Sequence, residues 1–386
     1  MSTKELDKEL TQKLYRAFSP HAPIEQPDSF QGRMYERQRV TEAIVAPGLH
    51  VIVYGERGSG KTSLANVSTL GYKTIKVFCP EASNFAELCK DILNEFNEWA
   101  NTLVFDAEAN TVSRSGRSVN LDKLTMNDLT SLLPKDEEIC IVLDELDRVE
   151  DSEVSKNVAE LCKKLSTYQK NITMIMVGVA ETADQLLKGH LSNVRNLKQV
   201  HLGKMGPEEL RAILEHGEKI LDLEFEPEVV TRIIDLCDGF PYYLHLIAVN
   251  SAKVSMLRSS SKVEMGDFTE ALELAAEDCD ESLRDVYSTA VLSVKASEVY
   301  RQILWAMADI PKRVVTTREI YESYCKIVAD EGSRPVSIQA IGASIIKLLT
   351  IEKKEVISSK NPGFYGFTNP LMRGYIKMER AIDGLH

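Results

Sequence analysis

Two short stretches carry residues whose types and spacing could do chemistry on a chain of phosphates. The first is Gly55-Glu56-Arg57-Gly58-Ser59-Gly60-Lys61-Thr62-Ser63, a G-x-x-x-x-G-K-[ST] pattern. Glycines let the backbone fold into a concave nest of converging N–H groups, which cradles an anion. A lysine beside that nest supplies a point charge for the outer phosphates, and the hydroxyl of Thr62 suits the coordination shell of Mg²⁺. The second stretch is Asp144-Glu145, at the end of the apolar run Ile139 to Leu143. Asp144 would hold the Mg²⁺ shell, and Glu145 would polarise an attacking water.

Residues of this kind work only if the fold brings them to one edge. "LHVIVY" (49–54) reads as a buried strand and "KTSLANVSTL" (61–70) as a helix, so the glycine loop lies between strand and helix. "EICIVL" reads as a second buried strand, which delivers both carboxylates at its C-terminal end, where parallel sheets bind ligands. A third, "NITMIMVGVAET" (171–182), ends in Glu181-Thr182. Glu181 then has two readings: a sensor of the terminal phosphate, or a neighbour of the cap of the next helix. Arg195 precedes a last strand, "QVHL" (199–202). It reads either as an arginine finger facing a neighbouring subunit's nucleotide or as a surface arginine.

This alternation of strands and helices predicts an α/β parallel-sheet nucleotide domain over 28–205. Residues 1–27 read as a helix and a connector marked by Pro20, Pro23 and Pro27. Residues 206–282, entered at Gly206-Pro207, read as a helical lid that closes over the nucleotide. Residues 283–386 read as three helices and a two-stranded wing turning at Asn361-Pro362-Gly363, a winged helix. Residues 101–125 break the alternation and read as an insertion, either a hairpin or a polar loop.

With 386 residues, 44% apolar and 27% charged, the chain is long enough for two or three cores. No apolar run reaches the roughly 20 residues of a membrane span, so no membrane role and a cytoplasmic location are expected. Seven scattered cysteines form no CxxC pair and suit a reducing compartment with buried thiols. The net charge of −12 argues against binding nucleic acid over the whole surface. Residues 295–386, however, carry fourteen Lys and Arg against ten Asp and Glu. The third helix of that region has Lys347 as its only base, whereas the wing carries Lys353, Lys354 and Lys360. DNA contact through the backbone and protein–protein use of the wing both stand.

With these residues set out, the chain resembles an AAA+ ATPase over roughly residues 20–280, more weakly to its end. "DSFQGRMYERQRVTEAI" (28–44) is similar to the box that precedes the phosphate loop in these proteins, with Gly32, Arg33 and Glu36 at its spacing. The resemblance implies that Gly32 and Arg33 wrap the adenine of ATP through backbone groups. "DELDR" (144–148) resembles the acidic motif of origin-recognition-type initiators, and "DGFPYYLHLIA" (238–248) the GxP motif of STAND ATPases, whose proline, here Pro241, lies near the adenine. Many AAA+ enzymes place a sensor arginine in that helix. Here it is absent, or His245 substitutes for it; the core-facing histidine remains the other reading. The resemblance implies an ATPase, with Mg²⁺, that assembles as a homo-oligomeric ring or filament when ATP is bound and recruits or regulates a dedicated protein partner. Two alternatives accompany it: a slow-turnover STAND-like switch in a defence or mobile-element system, and an origin-recognition-like DNA-binding initiator or loader.

Overall fold

A computed structural model describes residues 7–79, 84–190, 195–292, 297–350 and 356–384. The chain opens with α1 (Lys8–Ala17), capped by Asp7, whose carboxylate accepts from Leu10 N at 2.8 Å. It then enters the first of two compact units, residues 22–203; residues 1–21 and 204–386 make up the second.

In the first unit, α2 (Met34–Val45) precedes β1 (His50–Gly55) and α3 (Lys61–Thr69). Then follow β2 (Lys73–Phe78) and α4 (Phe85–Ala100), and a meander of β3 (Val104–Asp106), β4 (Thr111–Arg114) and β5 (Arg117–Asn120). After these come α5 (Met126–Leu132), β6 (Ile139–Asp144), α6 (Ser152–Tyr168), β7 (Ile172–Val179), α7 (Ala183–Leu186) and β8 (Leu197–Leu202). The main sheet is parallel, in the order β2-β6-β7-β1-β8. Both faces are covered, and successive strand residues serve opposite faces. Ile52, Ile141, Leu143, Met174 and Met176 pack in one core layer; Val51, Val53, Val142, Ile175, Val177 and Val200 pack in the other. The four segments read as strands are β1, β6, β7 and β8, and the first three are nearly continuous apolar runs. The edge strand β2, half exposed and carrying Lys73 and Lys76, lacks that signature and was not anticipated. The insertion is a three-stranded antiparallel meander, one strand more than a hairpin, and Val112 anchors it in the core.

The second unit is mainly helical. After α8 (Pro207–Leu221) come β9 (Glu224–Phe225), α9 (Pro227–Cys237), α10 (Pro241–Leu257), β10 (Lys262–Val263), α11 (Met265–Glu277) and α12 (Glu281–Leu292). The chain closes with α13 (Ser297–Asp309), β11 (Val315–Thr316), α14 (Thr317–Asp330), α15 (Ile338–Leu348), β12 (Ile357–Asn361), β13 (Phe364–Phe367) and α16 (Met372–Asp383). Here α13, α14, α15 and the β12–β13 hairpin keep the element order expected of a winged helix, with β11 added as a third strand on β13. Lys353 and Lys354 lie outside the described residues.

The compact units differ from the four expected segments, and the packing gives the reason. Leu14, Ala17 and Phe18 are buried in the helical core, so α1 belongs there. The ring of Phe18 lies where a Cβ on Gly217 would stand, which makes glycine the residue that lets α8 approach. The helices 206–282 and the C-terminal elements share one core as well. Tyr243 of α10 donates to Leu371 O at 2.5 Å and lies against Gly374 of α16, while Arg373 Nε donates to Ala308 O at 2.9 Å.

A buried histidine ties the sheet to α6. His50 is fully buried; its Nε2 donates to Cys162 O at 2.8 Å and its Nδ1 accepts from Met174 N at 3.0 Å. A second proton would set N–H against N–H, and burial pushes this imidazole down to about 4. Because the folded value lies below the unfolded one near 6.5, the neutral ring stabilises the fold above pH 6.5. That contribution, at most about 3 kcal/mol, is lost as pH falls from 6.5 towards 4. We expect the urea midpoint to drop across this interval, and the drop to shrink in His50→Gln, which remains uncharged. Urea titrations of both proteins from pH 7 to pH 4 check this; an equal acid loss in the variant counts against it.

Candidate functional site

The first unit gathers its candidate residues at the C-terminal edge of the sheet. β1 delivers the loop 55–60 and α3 begins at Lys61. Gly58 and Gly60 have φ of +76° and +91°, the left-handed region that glycine enters without strain. At Gly60 a Cβ would meet no atom within 4 Å, so it is the backbone angle that calls for glycine. The reverse holds at Gly55, where a Cβ would overlap the carbonyl of Leu202 on β8.

Lys61 is buried, and its Nζ donates to Glu56 O at 2.8 Å. Burial pushes the ammonium down to about 8, against the opposing pull of Asp147 and Asp144. Thr62 is half buried in the first turn of α3. Ser59 is buried, and its hydroxyl has no protein partner among the described residues. Arg57 is exposed. The hydroxyl of Ser63 has a structural duty: it accepts from Ile24 N at 3.0 Å.

Asp144 is buried at the end of β6, with Oδ1 accepting from Glu145 N at 2.9 Å. Glu145 has φ of +55°, a conformation that costs a non-glycine residue of order 1 kcal/mol and clusters at functional sites. Its Oε2 pairs with Arg148 Nε at 3.0 Å. Asp147 accepts from Val179 N at 2.7 Å and fills the space beside Gly178, where a Cβ would collide with its carboxylate. Asp147 and Arg148 escaped the sequence reading as site residues although both lie in "DELDR"; only packing shows that one carboxylate turns toward β7 and that the arginine holds Glu145.

Glu181 lies just past β7, whose Val179 is in register with Gly55, so it reaches the same edge as the loop. Its N–H donates to Gln185 Oε1 at 2.9 Å, while Thr182 caps α7. Arg195 is exposed and lies two residues before β8, whose first residue, Leu197, is level with His50 at the start of β1. The phosphate loop is at the other end of β1, about 20 Å away at the rise of an extended chain. Gly32 and Arg33 both have positive φ, +71° and +56°, at the start of α2. The Arg33 side chain runs back to the loop, with Nη2 3.4 Å from Ser59 O.

Pro241 and His245 belong to the second unit. Pro241 opens α10 at the position where a missing N–H costs nothing. His245 is buried with its ring 6.2 Å from that of Phe18, and burial pushes it down to about 4. It is therefore neutral at pH 7 and brings no positive charge in place of an arginine.

The nest, the buried lysine, the orphaned Ser59 hydroxyl and the buried carboxylate fit a nucleoside polyphosphate with its metal. Lys61 and the loop amides would hold the phosphates; Thr62 and Asp144 would face the cation, which supplies charge neutralisation when bound. Among the described residues no group of three or more His, Cys, Asp and Glu is placed to hold a metal ion, and no helix is long and apolar enough to cross a membrane.

A phosphate loop between β1 and α3 of a parallel sheet, with an acidic strand end beside it, defines a P-loop ATPase of the AAA+ class. The model of the family described as Novel STAND NTPase 1 matches residues 15–356, and the chain belongs to that family. An ORC1-type DNA replication protein 2 of Thermoplasma acidophilum is 24% identical over 377 residues, covering 89% of this chain and 84% of the relative. An ORC1-type DNA replication protein of Thermoplasma volcanium is 23% identical, covering 83% and 77%. Among solved structures, a Walker-type ATPase of Pyrococcus abyssi has a TM-score of 0.57 at 16% identity, covering 92% of this chain and 99% of the other. The ORC2 protein of Aeropyrum pernix gives 0.51 at 13%, covering 96% and 98%. The chain is thus a nucleotide-binding AAA+ protein of the branch that joins origin-recognition proteins and STAND ATPases.

Removing the buried charge should weaken binding directly. Lys61→Ala is expected to lower ATP affinity at least about tenfold, or about 1.4 kcal/mol. Titration with a fluorescent ATP analogue checks it, with circular dichroism confirming the fold; unchanged affinity counts against the site.

Proposed function

We propose that the protein binds and hydrolyses Mg·ATP, and that its ATP-bound form assembles into an oligomer that recruits or regulates a protein partner. The observation that carries this is the pairing of a complete phosphate edge with an arginine at the wrong end of its own sheet. Arg195 is about 20 Å from its own loop by strand geometry, so a catalytic role for it needs a second copy. In that arrangement Glu145 takes a proton from the attacking water, and Arg195 of one subunit stabilises charge developing at the other's nucleotide.

Two observations favour slow turnover of the STAND kind. Glu145 is paired with Arg148, so its carboxylate must leave an ion pair before it can act on water. His245 is buried and neutral where many relatives of this class use an arginine. The names of the origin-recognition relatives support DNA as a further partner. Against a base-reading role, α15 exposes Ile338 and Ile346, with Lys347 as its sole base. Any DNA contact would be made chiefly to phosphates.

Glu145→Gln should preserve ATP affinity and reduce hydrolysis by at least about a hundredfold, since the amide cannot accept the proton. Near-normal turnover in single-turnover assays would show that another group is the base.

Arg195→Ala should lower turnover with little change in affinity, and wild-type specific activity should fall on dilution as an ATP-dependent oligomer dissociates. Light scattering and phosphate release on one dilution series test this together. Specific activity that stays flat down to the monomer, with a silent Arg195→Ala, sinks the shared site.

A further inference from the structure

The chain leaves the first unit at the same edge that forms the phosphate loop. The carbonyl of Leu202, the last residue of β8, lies against Gly55 so closely that no side chain fits there. One residue on, Gly203 O accepts from Arg33 Nη2 at 2.5 Å. The same nitrogen is 3.4 Å from Ser59 O in the loop, and Arg33 Nη1 is 3.3 Å from Glu36 Oε1. This guanidinium is buried, with 4% of the residue exposed, on a backbone in the left-handed region. A buried arginine on a strained backbone is costly unless its surroundings hold it there. It is held here between the phosphate loop and the last residue of the unit.

On the far side of Gly203 the chain is fastened again, within the second unit. Lys204 pairs with Asp238, and its Nζ lies 5.3 Å from the centre of the Phe240 ring. Met205 N donates to Gly239 O at 2.8 Å. Lys377 reaches the same Asp238 at 3.5 Å. The turn Asp238-Gly239-Phe240, directly before Pro241, is therefore the anchor of the exit segment in the helical unit. One peptide bond, Gly203–Lys204, separates the two fastenings.

We infer that Arg33 is a positioning residue that couples occupancy of the phosphate loop to the exit segment 203–205, and through it to the turn 238–240. The inference rests on the reading that the loop binds ATP. To hold phosphates, Lys61 must release Glu56 O, the same carbonyl that accepts from Ser59 N at 3.4 Å. The peptide groups 56–59 then rearrange, and the Ser59 carbonyl with them. Arg33 Nη2 serves Ser59 O and Gly203 O together, so a change at the first carbonyl is felt at the second. A loop ordered by ATP holds Gly203 more firmly and protects the Met205 hydrogen bond.

The test is hydrogen exchange of the full chain at the Met205 amide, with and without saturating ATP and Mg²⁺. Binding is titrated on the same samples with a fluorescent ATP analogue. In the wild type, ATP should slow this exchange by about tenfold. In Arg33→Ala, at nucleotide concentrations that give full occupancy, the ATP effect should shrink to less than about twofold. Arg33→Lys keeps the charge but offers a single ammonium instead of a planar fork. It should restore the urea midpoint toward the wild type while the ATP effect stays lost, an outcome that a merely structural arginine would not give. An undiminished ATP effect in either variant at full occupancy overturns the inference, as does a wild type that binds ATP without any change at Met205. A wild type that does not bind ATP overturns the reading beneath it, and the titration shows which of the two has failed.

Discussion

The contact between Gly55 and the carbonyl of Leu202 is the constraint on which the nucleotide edge depends. It brings the end of β1 against the end of β8 with no side chain between them. The loop can therefore turn sharply into α3, and the N-terminal end of a helix favours an anion. The parallel register of β1 with both β7 and β8 maintains that approach along six residue pairs on the β8 side. Any residue but glycine at 55 would push the strands apart where phosphate chemistry needs them closest.

The charges at this edge are arranged around a lysine that has been taken out of water. Lys61 rests on a backbone carbonyl, and burial alone would favour its neutral form. Asp144 and Asp147 restore part of the charged form. Each carboxylate also has a neighbour that fixes it: Glu145 N for Asp144, Val179 N for Asp147, Arg148 for Glu145. The acidic motif is thereby tied into β7. Glu145 itself is held in the left-handed region while it pairs with Arg148.

In the helical unit, α10 joins regions that the sequence separates widely. Its Pro241 end carries the turn that holds Lys204 and Met205, and Tyr243 seals it against α16 near the C-terminus. His245 contributes packing to this core, against Phe18 from the start of the chain. Such a core makes the elements from 204 onward one compact unit.

The sequence by itself determined the P-loop class and the main strands, because those signals are local. A glycine pattern between an apolar run and a helix, and acids at the end of another apolar run, need only their near neighbours to be recognised. "HVIVYG", "ICIVLD" and "ITMIMVGV" became β1, β6 and β7 because strands buried on both faces must be apolar throughout. Only the tertiary structure decided the rest, since it depends on contacts between residues far apart in the chain. Edge strand β2 is half exposed and alternates weakly; α16 (Met372–Asp383) has no local signal of its place because its apolar face is completed by α13 and α11. Nothing in the sequence around Phe18 announces that it packs on Gly217 and assigns α1 to the helical unit. Arg33 is the sharpest case. Its spacing marked it as part of a nucleotide box, but its guanidinium is committed to Ser59 and Gly203, 26 and 170 residues away, a distance in sequence that only folding closes.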